Sequence, residues 1–266
     1  DAFCILWDGQ QLHGLNASGS APAAWTREYF VRKHGAQSLP QRGWDTVTVS
    51  GAVSAWVALS RRFGKLPFEQ LLAPAAETAE RGYAVPVVVQ QKWQLASQVA
   101  TLTSQPGFAA TFLPKGRAPN VGERFAMPHA ARALRLIAKS GGEAFYRGEI
   151  AAALAAYARE HGGALTEADL AAYQPEWVTP TAQDYRGHTL HEIPPNGQGI
   201  AAQMALGMLA HFDLAALPID GPECQHLQIE AMKLAFADVY RTVADPRHAA
   251  QPQLLDAAYL AERAKL

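Results

Sequence analysis

A chain of 266 residues with 49% hydrophobic and 18% charged residues is long enough to bury a substantial core and too apolar to be disordered. Lysine plus arginine total 23 against 24 for aspartate plus glutamate, so no basic surplus exists to neutralise a phosphate backbone and nucleic acid is not an expected partner. The most apolar stretches, Ile150 to Ala158 and Ile200 to Ala210, fall well short of the roughly 20 residues that span a bilayer, so no membrane span is expected.

The chain opens on Asp1-Ala2-Phe3-Cys4-Ile5-Leu6-Trp7-Asp8, without initiator methionine or basic-then-apolar leader. It reads as a buried strand already under way, and the true N-terminus is expected upstream. Asp8-Gly9-Gln10 between Phe3–Trp7 and Gln11–Leu15 is a hairpin signal. Thr46-Val47-Thr48-Val49 has strand character. Gly51 precedes a helical run from Ala52 to Phe63 that stops at Gly64, and Pro67 opens another helix.

From Pro128, the apolar positions Ala133, Leu136, Ile137 and Ala138 predict a helix ending at Gly141-Gly142. A further helix is expected from about Gly148 to Glu160, closing at Gly162-Gly163. Thr166-Glu167-Ala168-Asp169 has the form of a capping box. Tyr185 to Ile193 carries β-formers and ends in Pro194-Pro195-Asn196-Gly197-Gln198-Gly199, after which Ile200 to Phe212 and Gln225 to Tyr240 read as helices. The fold class is therefore α plus β. No repeat, low-complexity tract or linker is visible, so residues 1–266 are read as one portion without an internal boundary.

These segments bear on several chemistries. Gly197-Gln198-Gly199 with Ala202 matches G-x-G-x-x-A between strand and helix, but Pro194-Pro195 interrupts the strand end and no acidic strand tip follows; a tight small-residue loop fits better. There is no G-x-S-x-G elbow and no H-E-x-x-H helix, and His188 and His191 would point to opposite faces of a strand. Cys4 and Cys224 have no close partners and read as small hydrophobes, not a disulfide scaffold or thiolate site. Glu230 and Lys233, spaced i, i+3, are expected to pair, as are Arg241 and Asp245. No metal or organic cofactor is implied.

Together these segments resemble the γ-glutamyltransferase family. The likeness lies in Gly51-Ala52-Val53-Ser54-Ala55-Trp56, Arg62-Phe63-Gly64-Lys65-Leu66-Pro67-Phe68, Leu72-Ala73-Pro74-Ala75, and Ala144-Phe145-Tyr146-Arg147-Gly148-Glu149-Ile150-Ala151. It continues through Gly162-Gly163-Ala164-Leu165-Thr166, Asp169-Leu170-Ala171-Ala172-Tyr173, Tyr185-Arg186-Gly187, Pro194-Pro195-Asn196-Gly197-Gln198-Gly199 and Glu230 to Asp238.

The resemblance implies an N-terminal-nucleophile hydrolase with a four-layer αββα sandwich completed by a small subunit from the same self-cleaving precursor. The small subunit's new N-terminal threonine would be the nucleophile. Its α-amino group, with an ordinary pKa of about 7.7 to 8.0, would be the base. An acyl-enzyme would then pass to water or an amine, its oxyanion held by backbone amides and hydroxyls.

No stretch here resembles the family's Thr-Thr-His processing segment, and the glycine-rich opening is absent. The chain is thus expected to be a core portion of the large subunit, with no catalytic residue of its own. Its partners would be the small subunit and a small-molecule amide, with a dimer of such heterodimers as a further assembly the family allows. Compartment is left open between cytoplasm and periplasm.

In Asn16-Ala17-Ser18-Gly19-Ser20-Ala21-Pro22, Ser18 stands where γ-glutamyl-specific members carry the arginine that holds the substrate's α-carboxylate. Ser20 stands where other relatives have an arginine. A hydroxyl does not replace a bidentate guanidinium. Ser18 and Ser20 are therefore candidate substrate-binding residues of an altered acyl pocket, against the plainer reading of a small-residue turn. Oxamate amidohydrolases and cephalosporin acylases fit better than glutathione hydrolysis, which stays as the alternative. A non-catalytic scaffold chain is the reading from another class.

Overall fold

The computed structural model describes residues 1–35, 39–250 and 252–266. The Asp8 carboxylate accepts from the backbone N–H of Gln10 at 2.8 Å and Gln11 at 2.9 Å, turning the chain between β1 (Ala2–Trp7) and β2 (Leu12–Ala17). The Gln11 N–H, then the His13 ring and the Gln10 N–H, hold that carboxyl down to about 2.

Thr26 caps α1 (Arg27–His34) by accepting from the Tyr29 N–H. Two helices follow at the expected glycine and proline positions: α2 (Ala52–Phe63), ending at Gly64, and α3 (Phe68–Arg81), with Pro67 as its cap residue. The short strand β3 (Tyr83–Ala84) leads to α4 (Val87–Ala96), α5 (Ala100–Thr103) and α6 (Phe108–Phe112), and β4 (Arg124–Phe125) returns to pair with it. Next come α7 (Pro128–Ser140), α8 (Glu143–Tyr146), α9 (Glu149–Glu160) and α10 (Glu167–Ala172), the last opening on the expected Thr166–Asp169 capping box. The chain then forms β5 (Glu176–Val178), β6 (Thr181–Tyr185), β7 (His188–Glu192), α11 (Ile200–Leu209), α12 (Pro222–Thr242) and α13 (Ala257–Arg263).

Four expectations need correction. The opening run forms the strand β1, but none of its residues is buried in this chain. Thr46–Val49 is not a strand: Trp44–Thr46 is a 3-10 turn, and the Val49 N–H is satisfied by the Ser20 carbonyl at 2.9 Å rather than by a ladder. Tyr185–Ile193 is not one strand, because Arg186 (φ 49°) and Gly187 (φ 80°) form a two-residue turn that folds β7 back on β6. Positive φ at both central residues is what a tight hairpin turn demands. Asp245 pairs with Arg247 at 2.6 Å instead of with Arg241, whereas the Glu230–Lys233 pair forms at 2.8 Å.

The chain divides into two compact units: residues 1–2 with 17–175, and residues 3–16 with 176–266. The crossings fall within β1, within β2 and just before β5, which is why no linker composition marks them.

The first unit is largely helical. Its core gathers Val49, Val53, Ile137, Ala158, Leu165 and Leu170. Asp45, 7% exposed, accepts from the Tyr29 hydroxyl at 2.8 Å and lies 2.7 Å from Lys33 Nζ and 2.6 Å from His34 Nε2, so it ties α1 to the turn after Gly43. Burial pushes the Asp45 carboxyl up, but Lys33, His34 and Tyr29 outweigh it and the net shift is downward.

The second unit holds the sheet β1-β2-β5 and the hairpin β6-β7. The α11 helix is apolar all round and packs against α12, α13 and β6. Its one large polar side chain, Gln203, is fully buried; its amide accepts from Thr181 Oγ1 at 2.8 Å and donates to the Leu190 carbonyl at 3.0 Å, pinning the helix to both strands.

Met204 on α11 is fully buried, so Met204→Ala is expected to cost roughly 2–5 kcal/mol, read as a lower denaturation midpoint. Asp45→Asn should destabilise the first unit by about 1–3 kcal/mol at neutral pH. Because the folded carboxyl sits below its unfolded value, this contribution is present above about pH 4 and is lost as pH falls through the folded pKa. Unfolding curves of wild type and variant should therefore converge in acid; a constant gap would contradict the assignment.

Candidate functional site

The segment carrying Ser18 and Ser20 leaves the end of β2 and is shaped by backbone contacts, all within the first unit. Gly19 has φ +82°, and a Cβ there would lie 1.7 Å from the Val49 carbonyl oxygen. Only glycine meets both demands. The Ser20 carbonyl accepts from the Val49 N–H, and the Ala17 carbonyl oxygen lies 2.1 Å from where a Cβ on Gly51 would sit. Ser18 and Ser20, both half-buried, thus flank a glycine pressed onto the strand-like approach to α2.

The far end of this segment is held by a carboxylate already in use. Asp169 caps α10 through the Thr166 N–H at 2.9 Å, and its other oxygen accepts from the Ala23 N–H at 2.8 Å. Burial pushes the Asp169 carboxyl up, and the bonds from Ala23 and Thr166 outweigh it and bring it down.

Beneath the loop, the first turn of α2 has no capping side chain of its own. The buried Tyr146 hydroxyl replaces one, accepting from the Ser54 N–H at 3.0 Å and donating to the Ser50 carbonyl at 2.7 Å. Burial pushes the Tyr146 phenol up, so it stays a neutral donor and acceptor. Along the same helix runs a cleft of about 360 Å³ lined in part by Ser54, Arg61, Gly142, Arg147, Tyr173 and Gln174.

In the second unit, the Asn16 amide donates to Asn196 Oδ1 at 2.9 Å, joining β2 to the Pro194–Gly199 turn. Sequence reasoning missed this pair, since two asparagines 180 residues apart give no periodic or motif signal. The same turn explains the glycine pattern: a Cβ on Gly199 would lie 2.3 Å from Glu192 Oε2. The Glu192 side chain packed against it is thus a reason for glycine at position 199.

Among the described residues, no group of three His, Cys, Asp or Glu side chains is placed to hold a metal ion. Cys4 is half-buried and Cys224 buried, both free thiols.

The profile described as Gamma-glutamyltranspeptidase matches residues 1–266. The glutathione hydrolase-like YwrD proenzyme of Bacillus subtilis (strain 168) is 33% identical over 253 residues, 94% of this chain and 47% of that protein. The oxamate amidohydrolase proenzyme of Klebsiella pneumoniae subsp. pneumoniae is 36% identical over 240 residues, 88% of this chain and 44% of that protein. The solved structure of cephalosporin acylase from Bacillus halodurans superposes with a TM-score of 0.95 at 44% identity, over 100% of this chain and 50% of that one. The chain spans about half the length of the curated relatives it matches. Residues 1–266 belong to the gamma-glutamyltranspeptidase family.

Proposed function

We propose that residues 1–266 are one large-subunit portion of an autoprocessed amide hydrolase or acyltransferase, completed to an αββα sandwich by a small subunit from the same precursor. The relatives named proenzymes, about twice as long as this chain, support that reading. The nucleophile would be the small subunit's N-terminal threonine, its own amino group the base, and the reaction would run through an acyl-enzyme.

The large subunit's part in this is to shape the acyl pocket. The observation that carries the substrate reading is the neutral pair Ser18 and Ser20 on a loop clamped by Gly19 and Gly51. A γ-glutamyl compound brings an α-carboxylate, and two hydroxyls offer it hydrogen bonds without the charge or fork of a guanidinium. Oxamate and glutaryl acyl groups carry a carboxylate as well but no α-ammonium, so the serines argue against the γ-glutamyl arrangement alone. The choice of an oxamate- or acylase-type acyl group rests on the relatives. Likeness to the cephalosporin acylase over the whole chain and to the oxamate amidohydrolase supports this choice. The second reading, γ-glutamyl hydrolysis, is favoured by the glutathione hydrolase-like relative.

The test incubates the intact two-subunit protein with a γ-glutamyl anilide, oxamate and a glutaryl cephalosporin, and compares kcat/KM. Hydrolysis of oxamate or the cephalosporin is expected to dominate; release of the anilide alone would reverse the preference. Ser18→Arg should raise kcat/KM for the anilide by about 10- to 100-fold, the worth of a charge-assisted bidentate pair. No gain would remove Ser18 from the carboxylate position.

A further inference from the structure

The cleft beside α2 lies wholly within the first unit, and the hydroxyls at its floor are already engaged. Tyr146 is held between Ser50 and Ser54, and Ser54 Oγ donates to the Gly51 carbonyl at 2.6 Å. The Tyr146 and Tyr173 rings stack, with centroids 6.0 Å apart and 25° between their planes. Val57, Ala58 and Pro175 add apolar wall beside them. Gly142 lets the wall close: its φ is +93°, and a Cβ there would lie 2.8 Å from Val57 Cγ2.

The charges of the lining do not balance. Arg147 is committed, its Nη1 donating to the Glu143 carboxylate at 3.1 Å and its Nη2 to the Ala171 carbonyl at 2.9 Å. The remaining charged group is Arg61, whose Nη2 lies 3.9 Å from where a Cβ on Gly141 would sit. Among the described residues it makes no ion pair or hydrogen bond, and the Gln174 side chain is likewise uncommitted. With Glu143 neutralised by Arg147, one unpaired guanidinium and one amide face a stacked aromatic floor. A guanidinium carries only donors, so the group it takes must accept.

We propose that this cleft binds a small organic monoanion, a monocarboxylate with a flat apolar body. The carboxylate pairs bidentately with Arg61, and the body lies on Tyr146 and Tyr173. A planar carboxylate matches the guanidinium fork, and its single charge neutralises the one left over. A phosphate dianion would leave an excess negative charge beside Glu143. The volume of about 360 Å³ lies at the small end of ligand pockets and admits a single-ring acid. The site uses neither Ser18 nor Ser20 and does not depend on the amide hydrolase reading.

The deciding measurement is calorimetric titration of the intact protein with benzoate, benzamide, acetate and inorganic phosphate. Saturable binding of benzoate is expected. Acetate, which lacks the ring, should bind more weakly, and benzamide, which keeps the ring without the charge, should not bind. Arg61 is exposed, so Arg61→Gln should leave the melting temperature nearly unchanged while weakening benzoate binding by about 10-fold or more, the worth of a charge-assisted bond. Absence of saturable binding, benzoate binding that Arg61→Gln leaves unchanged, or tighter binding of phosphate than of benzoate would each overturn the proposal.

A second measurement needs no variant. Phenylglyoxal condenses with guanidinium groups, and mass spectrometry reads its addition to Arg61 in the wild-type protein. Benzoate is expected to slow that addition several-fold, with benzamide having no effect and other exposed arginines reacting as before. Equal rates at Arg61 with and without benzoate would overturn the assignment.

Discussion

The Ala17 carbonyl occupies the space a side chain on residue 51 would need, and the Val49 carbonyl does the same to residue 19. These two close approaches of backbone to backbone determine the path of residues 17–22. With no Cβ at either glycine, the loop lies flat on the approach to α2, and the Ser20 carbonyl reaches the Val49 N–H. A bulkier residue at either place would lift the loop by ångströms and displace both serines together. The position of the candidate pocket residues therefore depends on atoms that are missing more than on side-chain contacts.

Around that constraint the remaining polar groups are used economically. Tyr146 serves a helix start that lacks a capping residue, and Asp169 serves a helix start and the loop at once. In the second unit Gln203 is the only large polar group on a helix otherwise apolar on all sides, and it reaches both strands of the hairpin beneath it. A buried amide satisfied at both ends fixes one arrangement, since sliding the helix by a turn would strand it without partners.

Much of the local structure was legible because it depends on neighbours in the chain. The Asp8-Gly9 hairpin, the helices ending at Gly64 and Gly141, and the Thr166–Asp169 box each rest on interactions spanning a few residues. Thr46–Val49 misled because β-branched residues suit any extended backbone, and here the extended piece bonds to a loop rather than to a strand. The turn at Arg186-Gly187 was hidden because arginine is an unusual residue at φ 49°. Of the candidate site, Ser18 and Ser20 were found by likeness to relatives. The Asn16–Asn196 bond and the Tyr146 support were not, since each depends on long-range packing that no periodicity encodes.

The return of β5 to β2 has a consequence for synthesis on the ribosome. The hairpin β1-β2 is made before the other elements of its unit, and Asn196, the partner of Asn16, follows 180 residues later. At about 5–20 residues per second, that leaves the hairpin waiting roughly ten to forty seconds for its neighbours. An isolated two-stranded hairpin is marginal in water, and this one carries an uncharged apolar strand. Nascent chains are thus most prone to misassociation in this interval, and their yield should respond to chaperone supply and translation speed more than to the stability of the finished fold.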